Sequence, residues 1–516
     1  MTANRIPRSL SAITAALAVS LAGCPESKPD ATKPGPSTPP GTAGAPAAEA
    51  QKPTLTVLVT ADELGWLLLS EGEGGQKKGG AAELLGQWVA DEKHCPAGTA
   101  CKPGYDATVV LSTGNHWNGP AISSFFRGES TAEVMKRMGY QVSVLGTHEL
   151  DFGRDQFLRN RGLDGIAYVA ANLKVKAPDA KDLELPPFKI VERKGVKLGV
   201  VGLARTKIAA NVMAGRLEGL EVTPYEEALA QAVPAAVAAG ADAVVVLVDE
   251  CPSELEAAIQ AHPDWKIPLV AGGHCHKPYR KEIGGTVLAS PGQHFERYLK
   301  ATMELDPARP QKERLVKVDV KVVDAHGKAT PDAEAQALVK KWKEKADGVL
   351  GEEIGFTKTG LDQASPQIAR WVSESIRSMV GADVAIVNKK GLRQGLPAGK
   401  ITRGSVYSVL PYDNSVLVAK LSGEQLLKNL ENPEALFAGA VKSGKAFKDA
   451  KGKAIDPAKM YSVATVEYLY FGGDQFDFEQ HDPLPNETGM VWQTPVIEWT
   501  KAAQTTAQKP LESKLR

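Results

Sequence analysis

The most restrictive feature of the sequence is a series of short β-branched runs that alternate with helical patterns between residues 54 and 330. Runs that are apolar throughout are typical of parallel strands buried on both faces. The stretches 188–204 and 286–306 instead predict antiparallel hairpins. The alternation therefore predicts an α/β fold, a multilayer sandwich with parallel central strands and antiparallel ribbons outside. The predicted central strands are LTVLVT (55–60), ATVVLST (107–113), VSVLG (142–146), DAVVVLV (242–248) and IPLVAGG (267–273).

Polar residues follow each of these runs. Because the carboxyl ends of parallel strands meet at one edge of a sheet, we expect these side chains to share one site. Carboxylates and imidazoles gathered in this way are typical ligands of a divalent metal. Singly, each has an ordinary structural role, as a turn residue or a hydrogen-bonded core histidine. The residues are Asp62, Asn115, His116, Thr147, His148, Glu149, Asp151, Asp249, His274 and His276.

A second domain follows the sandwich. Residues 331–351 read as a charged helix that opens at Pro331 and connects the two domains. Residues 352–500 predict a smaller α/β domain, with strands at 383–388 and 415–421. We expect the tail, 500–516, to be loosely held.

The N-terminus predicts export and lipid anchoring. Arg5 and Arg8 precede an apolar stretch that ends in LAGC, the pattern of a signal peptide over residues 1–24 with Cys24 as the lipidated residue. An ordinary signal peptide with an incidental cysteine is the alternative. Residues 25–53 are rich in proline and predict an extended tether. The protein is thus expected on the cell envelope, facing the periplasm or the cell surface.

Charge and cysteine content limit the partners further. The chain has 61 basic and 61 acidic residues and no basic stripe, which argues against a nucleic-acid polymer as partner. Cys95 and Cys101 frame a Pro/Gly turn and are predicted to form a disulfide, as suits an exported chain. Cys251 and Cys275 could pair, stay free or contact a metal.

Two long strings carry a family resemblance. They are STGNHWNGP…MGYQVSVLGTHELDFG in the first domain and VNKKGLR…AGKITRG…LPYDNSV…GEQL in the second. Through these strings the chain resembles the 5′-nucleotidase family, which includes periplasmic UDP-sugar hydrolases, over about residues 54–480. The resemblance implies a calcineurin-like metallophosphoesterase sandwich (α/β/β/α) at 54–330, followed by a nucleotide-binding domain. In that family two divalent ions share a bridging aspartate and a water and polarise a phosphoryl group.

The resemblance also assigns residues. His148 and Asp151 match the pair that stabilises the phosphoryl charge, and Asp62, His274 and His276 match metal ligands. The remaining matches bind substrate. They are Asn388 and Arg393 as polar contacts, Tyr412 and Tyr468 as an aromatic clamp on the base, and Asp474 as the ribose contact. In NKKGLR, Lys389 and Lys390 replace two small residues of the family pattern.

Four metal positions depart from the family pattern: Leu64, Asn115, Thr147 and Asp249. Two dications 4 Å apart repel by about 17 kcal/mol at an effective dielectric near 20, and a neutral amide at position 115 is a poor bridge between them. We therefore expect one divalent ion (Mn, Zn, Co or Mg). Its expected ligands are Asp62, Asp249, His274 and His276, helped by Asn115 or Thr147, with His116, Cys251 and Cys275 as further candidates.

The leading hypothesis is a metal-dependent hydrolase outside the cytoplasm that acts on nucleotides or related small phosphate esters. The alternative is a lipid-anchored nucleotide-binding protein that has lost turnover. A different hydrolase on the same scaffold, such as a thiosulfohydrolase or a cyclic phosphodiesterase, is a third possibility that no residue specifically favours.

Overall fold

The computed structural model describes residues 52–71, 76–208, 212, 216–412, 414–444 and 446–515. The signal peptide, Cys24 and the tether up to Gln51 lie outside this part of the chain, and their roles stay predictions. Within the described ranges, no helix combines the length and the apolar character needed to cross a membrane.

Two six-stranded sheets form the core of the N-terminal domain, beside two short two-stranded ribbons. The first has the strand order β16-β15-β1-β4-β5-β6 and the second β13-β14-β12-β11-β9-β8. The strands are β1 (Thr54–Thr60), β2 (Leu69–Glu71), β3 (Lys77–Gly79), β4 (Thr108–Ser112), β5 (Tyr140–Val144), β6 (Ala167–Val169), β7 (Leu173–Val175), β8 (Phe188–Arg193), β9 (Val196–Leu203), β10 (Leu220–Val222), β11 (Ala243–Val248), β12 (Leu269–Gly272), β13 (Pro278–Ile283), β14 (Thr286–Pro291), β15 (Arg297–Leu305) and β16 (Leu315–Asp324).

Helices cover the outer face of each sheet. Along β1, Val57 faces the core between the sheets, whereas Leu58 packs on the helical side. Along β11, Val245 lies between the sheets and Val246 packs towards α5. The predicted α/β/β/α layering is therefore confirmed. The helices are α1 (Ala81–Asp91), α2 (Ala121–Ser124), α3 (Glu129–Met138), α4 (Arg154–Asp164), α5 (Tyr225–Ala238) and α6 (Glu256–Ala261).

The predicted parallel strands form β1, β4, β5, β11 and β12, but one predicted hairpin is wrong. β14 and β15 do not pair: β14 pairs with β12 and β13, and β15 pairs with β1 and β16 in the other sheet. The chain crosses between the sheets at His294 and Phe295, which both adopt positive φ. β9 is also a central strand, parallel to β11, and not an outer ribbon.

The predicted connecting helix is α7 (Ala333–Leu350), capped by the side chain of Asp332. Beyond it, the strands β21-β18-β24-β20-β25 form a mixed sheet. The strands are β17 (Glu353–Thr357), β18 (Val384–Asn388), β19 (Gly399–Thr402), β20 (Ser415–Ser422), β21 (Ala435–Ala438), β22 (Ala440–Ser443), β23 (Ala446–Asp449), β24 (Met460–Val466) and β25 (Asn486–Val491). The helices are α8 (Pro366–Val380), α9 (Arg403–Val409), α10 (Gly423–Glu431), α11 (Glu467–Tyr470), α12 (Phe478–His481) and α13 (Gln493–Ala502).

The C-terminal tail is not loosely held. Leu511 and Leu515 are buried in the core of the second domain. The carboxylate of Glu512 accepts hydrogen bonds from the side chains of Thr357 and Thr359, each at 2.8 Å, and from the backbone N–H of Thr359 at 2.8 Å. These bonds tie the last described turn of the chain to the end of β17.

We predict that Glu512→Gln lowers the free energy of unfolding by about 1–2 kcal/mol at pH 7, because a carboxylate accepts these bonds better than an amide does. Burial alone would raise the pKa of Glu512, but the hydrogen bonds from Thr359 and Thr357 outweigh it and lower the pKa to about 2. Since this pKa is depressed in the folded state, the stabilisation is complete above the unfolded pKa of about 4.3 and is lost as the pH falls towards 2.

Urea unfolding of the wild type and the variant between pH 7 and pH 3 checks this prediction. The difference between the two should shrink below pH 4.5. Glu498→Gln removes a half-exposed carboxylate on α13 and serves as the control, with little effect expected. A difference that stays constant down to pH 3 would contradict the prediction.

Candidate active site

The carboxyl ends of the central strands meet at one edge of the sandwich, as the sequence predicts. The loops after β1, β4, β5, β11 and β12 bring together Asp62, Asn115, Thr147, Asp249 and His274. Asp62, Asn115 and His274 all adopt positive φ, a conformation that costs free energy in residues other than glycine. Several strained residues at one edge are typical of a functional site.

Asn115 lies at the centre of this cluster. Its side-chain Nδ2 donates to Asp62 Oδ1 at 2.8 Å and to Asp249 Oδ1 at 2.7 Å. Its Oδ1 accepts the backbone N–H of His148 at 2.9 Å. This third bond fixes the orientation of the amide, since a flipped amide would set a donor against a donor and an oxygen against two carboxylates.

Thr147 and His274 complete the surroundings of Asp249. The backbone N–H and the hydroxyl of Thr147 both donate to Asp249 Oδ2 at 2.6 Å. His274 Nδ1 lies 3.5 Å from Asp249 Oδ1, a distance too long for a strong hydrogen bond. Although burial opposes ionisation, His274, Thr147 and Asn115 hold the pKa of Asp249 below its usual value. Asp249 is therefore a carboxylate at neutral pH.

Asp62 and His276 behave differently. Asp62 Oδ2 is buried without a hydrogen-bond partner, and burial raises the pKa of Asp62 to about 7. Burial and the positive charge of Arg393 lower the pKa of His276 to about 3, so this imidazole is neutral. Burial alone would lower the pKa of His274, but Asp249 outweighs it and raises the pKa.

His148 and Asp151 form the predicted pair. His148 Nδ1 donates to Asp151 Oδ2 at 2.7 Å, and Asn118 Nδ2 donates to the same oxygen at 2.6 Å. Both members of the pair are nearly buried but line the cleft described below. The sequence analysis missed Asn118, which follows the NHW stretch after β4 and obeys the same strand-end pattern.

His116 has a structural role instead of the metal-ligand role considered for it. It is fully buried, with Nδ1 2.7 Å from Glu63 Oε2 and Nε2 3.0 Å from Ser143 Oγ. Burial opposes its charge, but Glu149 and Glu63 raise the pKa of His116 to about 9. Glu149 in turn accepts the backbone N–H groups of Asn115 and His116, at 2.9 Å and 2.7 Å, and holds that loop in place.

The four cysteines in the described part of the chain are paired with one another. The Cys95–Cys101 disulfide is confirmed, with the two Cα atoms 5.4 Å apart. Cys251 and Cys275 form a second disulfide, with the Cα atoms 5.3 Å apart. This bond ties the loop after β11 to the loop that carries His274 and His276.

A divalent ion does not fit this arrangement. A two-ion centre needs a bridging oxygen between Asp62 and Asp249, and Asn115 places two N–H groups there. The hydroxyl of Thr147 donates a hydrogen bond to Asp249. The side chain of Leu64 has no atom that can bind a metal. In the described part of the chain, no three His, Cys, Asp or Glu side chains come together as a metal-binding group. In this conformation the side chains of Asn115 and Thr147 are used in hydrogen bonds to Asp62 and Asp249, and the ligand roles predicted for them stay predictions.

One cleft of about 780 Å³ joins the strand ends to the second domain, a volume within the range of ligand pockets. The rings of His148 and Tyr412 lie 6.2 Å apart across it, and the Arg393 guanidinium lies 6.0 Å from the Tyr412 ring. The backbone oxygen of Tyr412 accepts from Trp492 Nε1 at 2.8 Å, which positions this tyrosine. Tyr468 lines the same cleft.

Asp474 is held by two neighbours in the cleft wall. Asn388 Nδ2 donates to its Oδ2 at 2.7 Å, and Lys390 Nζ lies 2.9 Å from its Oδ1. Lys389 is directed elsewhere, to the backbone oxygen of Pro433. The five predicted substrate-binding residues therefore all reach the cleft, and Lys390 neutralises the carboxylate of Asp474.

Three basic residues of the cleft were missed by the sequence analysis: Arg205, Lys207 and Arg216. Arg205 and Lys207 follow β9, whose sequence predicts an outer ribbon, so the strand-end pattern of the central strands does not include them. Arg205 pairs with Glu250 at 2.9 Å, and Arg216 donates to the backbone oxygen of Asp151. Trp66 and His294 also line the cleft, stacked with their ring centroids 4.3 Å apart.

Comparison with known proteins agrees with this architecture. Residues 352–481 match the family model "5′-nucleotidase, C-terminal domain". Endonuclease YhcR of Bacillus subtilis is 23% identical over 402 residues, 70% of this chain, and the match spans only 33% of that longer protein. The 5′-nucleotidase of Vibrio cholerae is 22% identical over 449 residues, covering 75% of this chain and 80% of its own.

The crystal structure of a 5′-nucleotidase precursor from Thermus thermophilus superimposes with a TM-score of 0.72 at 19% identity, covering 88% of this chain and 97% of that one. At so low an identity, the structural similarity establishes a shared fold but not a shared activity. The activity has to be argued from the residues of the site. Residues 352–481 thus match the 5′-nucleotidase C-terminal domain, and the described part of the chain shares the fold of the 5′-nucleotidase structures.

Proposed function

We propose that this protein binds a nucleotide or a related small phosphate ester in the cleft and hydrolyses its phosphate ester bond. The observation that carries the proposal is the 6.2 Å separation of the His148 and Tyr412 rings. A group for phosphate chemistry and a stacking platform for a base thus face the same cavity. Both lie within the span of one nucleotide.

The second domain would bind the base and sugar. Tyr412 and Tyr468 offer aromatic faces, and stacking on such a face contributes about 1–3 kcal/mol per base with little base specificity. Arg393 and Asn388 supply hydrogen-bond donors beside them. Because Lys390 already neutralises Asp474, we expect a weaker ribose contact than an unpaired carboxylate would give.

The sandwich domain would bind and process the phosphate. Arg205, Lys207 and Arg216 supply positive charge for the phosphate oxygens. Asp151 accepts the Nδ1–H of His148, which leaves Nε2 as the atom that can hold or transfer a proton. In hydrolysis, the water oxygen bonds to phosphorus and the ester P–O bond breaks. The leaving oxygen takes a proton from His148 Nε2, and His148 regains a proton from the water that has added. We assign no step to a divalent ion, because the donor set does not fit one.

A specific observation favours a second candidate, a nucleotide-binding protein without turnover. The amide of Asn115 lies between Asp62 and Asp249, where hydrolases of this fold are expected to carry metal chemistry. Binding in the cleft does not need that chemistry, whereas fast hydrolysis does. Turnover and binding must therefore be measured on the same preparation.

We predict that residues 53–516 release phosphate from nucleoside monophosphates, and that His148→Ala lowers kcat by roughly 10²–10⁴, the usual effect of losing a proton-transfer group. Phosphate release is measured with EDTA and with added Mn²⁺. His262→Ala removes a histidine that lies outside the cleft lining and should retain full activity. Equal rates in His148→Ala and the wild type would mean a contaminating activity and contradict the hydrolase proposal.

We predict that Tyr412→Ala weakens nucleotide binding by about 1–3 kcal/mol through the loss of one stacking face. Isothermal titration in EDTA measures the dissociation constant. Tyr412→Phe keeps the ring and should bind as the wild type does, and Tyr279→Ala changes a tyrosine on the edge strand β13, away from the cleft. Unchanged affinity in Tyr412→Ala would remove the base clamp from the proposal. Binding without phosphate release would favour the second candidate.

We also propose that the protein is exported and anchored to the cell envelope through lipid on Cys24. The wild type should incorporate labelled palmitate and fractionate with membranes, since acyl chains on Cys24 add membrane affinity. Cys24→Ser should lose the label. Cys101→Ser, which removes a cysteine from an exposed loop, should keep it, and a label retained by Cys24→Ser would disprove the anchor.

A further inference from the structure

We propose that the side-chain amide of Asn115 replaces a divalent cation at the centre of this site, so that the strand ends are held together without metal. Asp62, Asn115 and Asp249 are each fully buried. Two acidic side chains from different sheets therefore meet in the protein interior, where such groups need a cation, a proton or hydrogen-bond donors between them. The inference concerns the resting site and does not depend on turnover.

The contacts of Asn115 supply those donors. One N–H points to Asp62 at 2.8 Å and the other to Asp249 at 2.7 Å, so a single NH₂ group joins the two acidic side chains. Both distances lie in the range of good hydrogen bonds. Thr147 adds two further donors to the other oxygen of Asp249. A neutral group and its neighbours thus do the cross-linking that a cation would otherwise do.

The backbone keeps the amide in this place. The carboxylate of Glu149 accepts the backbone N–H of Asn115, and the amide oxygen of Asn115 accepts the backbone N–H of His148. Asn115 has φ 66°, a conformation that asparagine adopts more readily than most residues. Gly146 allows the close approach, since a Cβ there would lie 2.5 Å from the backbone nitrogen of Asn115.

An aspartate at position 115 would place an acceptor, instead of a hydrogen-bond donor, between Asp62 and Asp249. Its two oxygens would occupy the positions of Oδ1 and Nδ2, and one of them would face Asp62 and Asp249 at hydrogen-bond distance. Three buried acidic side chains would then meet without a donor between them, which is a cation site. The chemistry therefore predicts that Asn115→Asp acquires the affinity for divalent ions that the wild type lacks.

The test uses residues 53–516 and metal alone as the probe. Wild-type protein purified without chelator should contain far less than one divalent ion per chain by mass spectrometry, and neither Mn²⁺ nor EDTA should change its melting temperature. Asn115→Asp should melt lower than the wild type in EDTA and rise by about 3–5 °C with Mn²⁺ at 100 times its Kd. Mn²⁺ titration followed by electron paramagnetic resonance measures the number of bound ions.

Asn172→Asp is the matched control. Asn172 is a buried asparagine whose side chain bonds the backbone of Ala204, so the variant should lose stability without responding to Mn²⁺. If Asn115→Asp does not fold, Asn115→Ser opens the same space and should also be stabilised by Mn²⁺. The proposal is overturned if the wild type carries about one ion per chain, or if a folded position-115 variant ignores Mn²⁺. Neither readout involves phosphate release, so failure of the hydrolase proposal would leave this result unaffected.

Discussion

The apolar layer between the two sheets is the interaction on which the rest of this structure depends. Valines and leucines on the inner faces of β1, β4, β9, β11 and β12 are fully buried against one another. This packing fixes where each strand ends, and therefore where the loops after β1, β4, β5, β11 and β12 meet. A polar cluster with contacts near 2.7 Å can form only on a support that rigid.

The polar cluster is held by hydrogen bonds to acidic side chains more than by isolated ion pairs. Glu149 holds the backbone after β4, Glu63 pairs with the protonated His116, and Asn115 joins Asp62 to Asp249. Each buried carboxylate thereby gains donors that offset part of its desolvation. The same hydrogen-bond donors occupy positions where a metal centre would need oxygen ligands. Hydrogen bonding to the buried carboxylates therefore competes with metal binding at this site.

The cleft adds a second requirement, that two domains present their groups to one cavity. α7 packs on α1 and α3 of the sandwich and leads directly into the second domain. That arrangement brings Tyr412 next to His148 and Arg393 next to Tyr412. The ion pair between Lys390 and Asp474 neutralises that carboxylate, so the cleft wall there carries less negative charge than a free Asp474 would give it.

The sequence by itself determined the layered fold, the strand ends that carry chemistry, the His148–Asp151 pair and the residues of the second domain that reach the cleft. The fold and the strand ends follow from local patterns, since buried strands are continuous apolar runs and the polar residues after them lie at one sheet edge. The His148–Asp151 pair and the cleft residues of the second domain follow instead from the resemblance to the 5′-nucleotidase family. The predicted hairpin of β14 and β15 was wrong. β14 is fully buried, but its Thr and Ser residues give it the alternating pattern of a half-exposed hairpin strand. The prediction for the tail was also wrong, because its anchoring depends on Glu512 meeting residues about 150 positions earlier in the chain.

Only the tertiary structure decided what Asn115, His116 and the cysteines do. A sequence shows that an asparagine stands at position 115, but its role depends on which atoms of the amide face Asp62, Asp249 and His148. Those partners come from three different loops, and their distances are set by the packing of both sheets. The direction of a hydrogen bond depends on that assembled geometry. Here the NH₂ group of Asn115, and not its oxygen, faces Asp62 and Asp249, so the side chain takes the place of a metal instead of binding one.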